Sequence, residues 1–336
     1  MKKIFLLLFL GTTHLFAQVG GESIYNFLNI AGSARQASLG GNILTLIDDV
    51  NQPNWNPATI NGNLENLLSV SYLNYLADLN LATVAYAFKV NDKVGTLHSS
   101  INYLNYGKFI GADDDGLETG TFKAYDLAFS VGYAYNIPNS NFFIGANMKL
   151  INSVIENYSS VGIGADLGIL FNSIDKPYNV TLVIRNIGYQ VTVYEEDREQ
   201  LPTQIDFGIS YKLQNVPITW FLTIDNLQKW DISEPNPSNE VTDIDGNVTN
   251  EEIQFFDNAL RHFSIGTELF SKNAFNIRLG YNFRRSKELM LVDKRTFSGF
   301  TAGFSLRMKK LKFSYAFSKY HPATNSSSFS LNIDLN

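Results

Sequence analysis

The chain has no cysteine. That excludes disulfides, thiolate catalysis, zinc–sulfur sites and a lipid-modified N-terminal cysteine. Charge is also scarce. Charged residues are 17% of the 336 residues, against roughly 25% in ordinary soluble domains, while aromatics reach 13%. The net charge of -6 and the lack of a long basic run leave no footprint for nucleic acid. The four histidines, His14, His98, His262 and His321, are scattered and offer no metal or triad spacing. No nucleophile–base pair stands out, so the chain is not expected to be an enzyme, and no cofactor is expected.

Long apolar runs are missing too. One short run, Ile4 to Leu10, follows Lys2 and Lys3 and precedes Leu15-Phe16-Ala17. It is too short to span a bilayer as a helix. With its basic start and small-residue end, the segment 1–17 reads as a secretory signal. No window of ~18 apolar residues follows, so an exported chain here is either soluble or a barrel.

What the chain has in abundance is alternation. In Phe275 to Arg284 the odd positions are Phe, Ile, Leu, Tyr and Phe, and the even ones Asn, Arg, Gly, Asn and Arg. Side chains on a strand point alternately to its two faces, so such a segment has one apolar and one polar face. The pattern begins near residue 67. It predicts about fourteen strands: 67–75, 80–90, 95–104, 124–136, 141–152, 161–172, 179–187, 204–213, 217–225, 261–270, 274–284, 297–308, 311–319 and 328–335. Most are ~9–13 residues, against the usual ~5–6, and a tilted membrane strand needs about 9–11.

The connections sharpen this reading. Links after the even strands are short, as at Asn91-Asp92-Lys93, Ser271-Lys272-Asn273 and Lys309-Lys310. Those after strands 3, 7, 9 and 11 are long: Asn105 to Lys123, Gly188 to Thr203, Asn226 to Leu260 and Arg285 to Thr296. The link near Ala77 and Asp78 is short and breaks the rule. Short turns on one rim and long loops on the other mark an outer-membrane barrel, whose short turns face the periplasm. The expected fold is therefore an all-β transmembrane antiparallel barrel spanning 67–336, with outer-membrane lipid around it.

A barrel of that size has a lumen its own wall cannot fill. The inward set carries both signs: Asp126, Asp166, Asp206, Asp225 and Glu268 against Lys149, Arg185, Lys212, Arg278, Arg284 and Arg307. Buried charges need partners. Residues 18–66, rich in Gly, Asn and small residues, lack the alternation and are the expected plug, with a short helix near Ser33 to Leu39. His98 and His262 are expected on inward strand positions. Gly162 and Gly164 lie inside a strand, where glycine eases packing. Asp243-Ile244-Asp245-Gly246-Asn247 has its glycine too early for a calcium loop and reads as a polar loop. Asp113-Asp114-Asp115 reads as a solvated acidic turn.

One stretch carries a family resemblance. Gly20-Gly21, Tyr25-Asn26-Phe27-Leu28, Ser33-Ala34-Arg35, Ala37-Ser38-Leu39-Gly40-Gly41 and Asn56-Pro57-Ala58 resemble the N-terminal signature of the PorV/PorQ family. These are type IX secretion proteins of Bacteroidetes, similar in turn to FadL-type barrels of fourteen strands. The likeness covers about residues 19–58. The chain ends in Asp334-Leu335-Asn336 rather than a terminal aromatic, a departure from the proteobacterial pattern. The resemblance implies a non-enzymatic role in export and a surface partner resembling PorZ. A FadL-like transporter of hydrophobic molecules is the alternative. The largest loop, 226–260, would be the docking loop, with Trp230, Phe255 and Phe256 as its apolar anchors.

Overall fold

The computed structural model describes residues 23–113, 115–173, 176–233, 241–242, 248–249, 253–289, 297–321 and 324–336. The expected signal, Gly20-Gly21 and the calcium-like run 243–247 lie outside them. In chain order the first elements are short. A 3-10 turn at Asn26–Asn29 is followed by helix α1 (Ala34–Ser38) and by further 3-10 turns at Gln52–Asn54, Pro57–Thr59 and Gly62–Leu64. The strands follow: β1 (Leu67–Leu76), β2 (Leu79–Asn91), β3 (Gly95–Ala112), β4 (Glu118–Asn136), β5 (Phe142–Ile155), β6 (Tyr158–Asn172), β7 (Tyr178–Thr192), β8 (Gln204–Lys212) and β9 (Ile218–Ile224). A two-residue ribbon, β10 (Val241–Thr242) with β11 (Val248–Thr249), and helix α2 (Phe255–Arg261) interrupt them. Then come β12 (Phe263–Leu269), β13 (Phe275–Asn282), helix α3 (Phe283–Glu288), β14 (Phe300–Met308), β15 (Leu311–His321) and β16 (Thr324–Asp334).

All strands except β10 and β11 form one closed barrel, with β1 pairing both β2 and β16. That is fourteen strands, the number the alternation predicts. Closure leaves no open edge, which hydrocarbon would not tolerate. The two faces are inverted relative to a soluble protein. Val70, Val84, Phe129, Met148, Leu167 and Leu279 are exposed on the outside, while Ser71, Thr83, Ser130, Asp166, Asp206 and Arg278 are buried within. Aromatics line up across strands on the exterior: Phe304 lies 5.8 Å from Tyr315, and Tyr315 lies 5.3 Å from Phe329. An apolar exterior around a polar lumen is the pattern of a transmembrane barrel.

Several boundaries differ from expectation. The sequence predicts a loop over 105–123, yet β3 and β4 continue into it as a paired hairpin, through Phe109↔Phe122. Those rings stack 5.2 Å apart. Much of this extension is exposed, so no buried face imposes a period of two. β7 likewise runs on to Thr192. Phe283-Arg284 leave the sheet for α3, because the Asn282 side chain caps that helix by accepting from the Arg285 N–H at 2.8 Å. Arg284 is therefore on a helix rather than a wall strand, and Arg307 is exposed at the short-turn rim.

The wall is uneven in height. β3 to β7 are 18, 19, 14, 15 and 15 residues long, whereas β8, β9, β12, β13 and β14 are 9, 7, 7, 8 and 9. One flank of the cylinder is about twice as tall as the other.

Candidate functional site: the inner segment and the long loops

Residues 23–66 lie against the inner face of the barrel, and most of their side chains are buried. The elements of the sequence signature have physical roles here. Ser33 is the N-cap of α1, its hydroxyl accepting from the Gln36 N–H. Gly40 and Gly41 have φ of 97° and 90°, a left-handed geometry that glycine adopts freely and that turns the chain directly after α1. The Gly40 N–H donates to Thr301 Oγ1 at 3.0 Å. Asn56 holds a 3-10 turn by accepting from the Ala58 N–H at 3.0 Å, and donates to Leu44 O and Thr181 Oγ1 at 2.8 and 2.9 Å. Pro57 follows at the first position of that turn, where its fixed φ fits.

Glycines in the wall let this segment come close. A Cβ on Gly280 would fall 2.2 Å from the Gly40 nitrogen, and one on Gly145 would fall 2.4 Å from the Pro57 carbonyl oxygen. Gly162 serves Tyr25, whose ring would be 2.5 Å from a Cβ there. The Tyr25 hydroxyl sits 2.5 Å from Ser160 Oγ. Glycine inside a strand commonly marks such a close backbone approach.

Phe27 and Tyr25 join a buried apolar cluster with Leu73, Leu81, Leu104 and Ile151 from the wall. Leu73 shares its inward parity with Ser69 and Ser71, and simple alternation would make it polar. The inner face turns apolar where Phe27 packs. Burying such a ring is worth about 1.5–3 kcal/mol.

The buried cations Arg35, Lys149, Arg185 and Arg278 are each paired with a carboxylate. Arg35 Nη2 lies 2.6 Å from Glu268, and Arg35 Nη1 lies 2.8 Å from Asp48 and 3.8 Å from Asp49. Burial would lower the Arg35 guanidinium, but Asp48, Glu268 and Asp49 more than reverse this and raise it well above its ordinary value. Asp48 is 57% exposed at the short-turn mouth. Its surroundings push its carboxyl up, while Arg35 and then Lys312 pull it down, leaving it at about 2. Within the wall, Arg278 meets Glu268 at 3.0 Å, Lys149 meets Asp166 at 2.7 Å and Arg185 meets Asp206 at 2.9 Å. Arg185 also lies over the Trp55 ring, 4.3 Å from its centroid.

A cavity of about 280 Å³ remains between this segment and the long-loop side. Trp55, Tyr75, Arg185, Asp225, Arg285 and Tyr320 are among its walls, so it is polar and charged as well as aromatic. Neither inward histidine has a metal-like setting. His98 Nε2 is 2.9 Å from Val50 O. His262 is the C-cap of α2 rather than a strand residue, with ring nitrogens 2.6 Å from Asp225 O and 3.0 Å from Trp230 O.

The three loop residues singled out by sequence do come together. Trp230 and Phe255 are 4.9 Å apart by ring centroids, and Phe255 and Phe256 are 5.6 Å apart. They are 52%, 65% and 78% exposed. The inner side of α2 is polar: Asn258 Nδ2 donates to Trp230 O at 2.6 Å, and Arg261 pairs with Asp257 at 2.9 Å. Lys287 of α3 meets Asp257 at 2.8 Å, tying the two helices. In the acidic turn, Asp113 Oδ1 accepts from the Leu117 N–H at 2.8 Å, which is an ordinary loop-closing bond.

No family model and no curated protein matches the chain. Among solved structures, it is similar to the toluene transporter TbuX of Ralstonia pickettii, at 12% identity and a TM-score of 0.49, covering 92% of this chain and 98% of that one. A FadL homologue from Pseudomonas aeruginosa gives the same figures. CdiB from Acinetobacter baumannii is more distant, with 10% identity, a TM-score of 0.35, and coverage of 80% of this chain and 59% of that one. The barrel assignment rests on the closed strand ladder and the inverted faces, not on these likenesses.

Proposed function

We propose that this chain is a non-enzymatic outer-membrane component of the type IX protein secretion system, PorQ-like, which holds a PorZ-like surface protein needed for export and attachment of cargo. In this reading residues 1–17 are a signal and 18–66 are a luminal plug. The opening Gly-Gly with Tyr-x-Phe-Leu, and the modest length, favour PorQ over PorV within that family. The observation that carries a scaffold over a pore is the occupied lumen. Arg35 on the inner segment is bound to Glu268 on the wall, in a site that also holds Arg278. In this reading the segment blocks passage and leaves the long loops as the working surface. Those loops face the cell exterior if the short turns face the periplasm.

The test is genetic. A strain lacking this chain should retain type IX cargo inside the cell, and the chain from solubilised membranes should capture its surface partner. Normal cargo export by that strain would overturn the proposal.

A FadL-like transporter of hydrophobic small molecules is the second reading, supported by the fourteen-strand wall with an inner N-terminal segment. The charged walls of the 280 Å³ cavity speak against an apolar cargo. Loss of uptake of a hydrophobic compound, with export intact, would favour this reading.

A further inference from the structure

The short-turn rim carries a second cavity, of about 260 Å³, beside the seam where β15, β16 and β1 meet. Its walls divide into two kinds. Arg307, Lys309, Lys310 and Lys312 supply four cations within six residues of sequence, around the β14–β15 turn. Leu311 and Ile333, paired across the ladder, supply an apolar side, while Leu67 packs inward against Val50 and Leu64. Leu311 is among the exposed apolar residues of the outer wall.

The acids nearby are already engaged. Asp334 accepts from the Asn336 N–H and side chain at 3.0 and 2.9 Å, and Asp48 is bound to Arg35 at 2.8 Å. Lys310 Nζ donates to the Asn336 carbonyl. No ion pair joins Arg307, Lys309 or Lys312 to a carboxylate among the described residues. On a chain of net charge -6, this is a local excess of positive charge next to apolar wall.

From this pairing we infer that the cleft is a binding site for the phosphate headgroup of an anionic glycerophospholipid, with the start of an acyl chain against Leu311 and Ile333. The rim of a membrane barrel is where headgroups lie, and clustered Lys and Arg at that depth attract anionic lipid. The cations supply the phosphate contacts, and the apolar wall distinguishes a lipid from a free phosphate ion. The inference rests on the transmembrane barrel alone. It stands or falls independently of the secretion reading.

The experiment uses the full chain, purified in detergent and exposed to equal amounts of phosphatidylglycerol and phosphatidylcholine, with bound lipid counted by native mass spectrometry. Phosphatidylglycerol should be retained in preference. The triple substitution R307Q/K309Q/K310Q should lower its retention by at least about tenfold, given roughly 1 kcal/mol per cation near a headgroup. A control, K89Q/K93Q, alters the turn after β2, where Lys89 is already paired with Asp92 at 2.6 Å. It should change nothing. Heat-modified mobility on a gel confirms that each variant is a folded barrel. Equal retention of both lipids, or undiminished retention by the triple variant, overturns the inference. So does displacement of the lipid by millimolar inorganic phosphate, which would identify a plain anion site.

Discussion

Arg35 Nη2 and Glu268 Oε2 are 2.6 Å apart, although 233 residues separate them in the chain. One belongs to the inner segment and the other to β12, so this pair ties the contents of the lumen to its wall. Glu268 also accepts from Arg278 Nε at 3.0 Å, and Arg278 Nη2 donates to Asn276 at 2.8 Å. Removing Arg35 leaves Glu268 with one cation and strips Asp49 of the guanidinium beside it. Breaking a buried pair from one side costs about 3–5 kcal/mol. R35Q should therefore loosen the inner segment while the barrel stays closed. Limited proteolysis of residues 23–66 in detergent would show it as faster cleavage, with R35K intermediate because lysine lacks the forked geometry.

The same site has a pH dependence with a defined sign. The folded Asp48 carboxyl, at about 2, lies below the ordinary aspartate value of 3.8. Its contribution is thus fully present above about pH 4 and is lost as pH falls through about 2. Because Asp48 is more than half exposed, the effect is small, at most about 1 kcal/mol. Proteolytic sensitivity measured with an acid-stable protease should rise between pH 4 and pH 2. D48N should flatten that rise.

Wall glycines offer a steric test. A side chain at Gly280 meets the backbone of Leu39 and Gly40, which cannot step aside without moving α1. G280V should expel or misplace the segment at a cost above the ~1–3 kcal/mol typical of overpacking. Cysteines placed at Ala34 and Ser330, where the Ala34 N–H donates to Ser330 Oγ at 2.9 Å, should crosslink in the parent chain and fail to do so in G280V.

Deleting the inner segment addresses the lumen directly. With residues 19–62 removed, planar-bilayer conductance should rise from a closed baseline to that of an open pore, since fourteen strands enclose more space than their own side chains fill. An unchanged closed barrel would show that the wall or the long loops block the path.

On the long-loop side, F256S, F255S and W230A remove the exposed ring cluster without touching a wall strand. If a surface partner docks there, each should weaken its capture by about 2 kcal/mol or more at a true anchor. Barrel heat stability should stay as in the parent chain.

Much of this architecture was legible in the sequence, for a physical reason. A wall strand between lipid and lumen must alternate, so Phe275 to Asn282 declare themselves residue by residue. Where neither face is buried, as beyond Lys108 on β3, nothing enforces a period and the hairpin extension has no local signature. The segment before residue 67 stands out by its lack of alternation, but its partners do not. Leu73 and Leu81 look like errors in a polar-inward rule until Phe27 is seen against them. Arg35 was singled out by resemblance, and Glu268 by inward parity. Their meeting depends on how α1 is threaded, which no local pattern encodes. His262 was misplaced because a helix cap and a strand start differ by a single residue here.

The lopsided wall has a consequence for the surrounding bilayer. Seven residues of β9 or β12 reach about 23 Å along the strand, and less once tilted, against an outer-membrane apolar band near 25 Å. β3 to β7 exceed that band comfortably. Lipid touching the low flank must thin, or the rings of α2 and Trp230 above β9 and β12 must take over as its apolar boundary. The molecule is then a wedge in the plane of the membrane, and the sheet of lipid around it carries a gradient of thickness. Any neighbour that prefers a thin bilayer will be drawn to that one side.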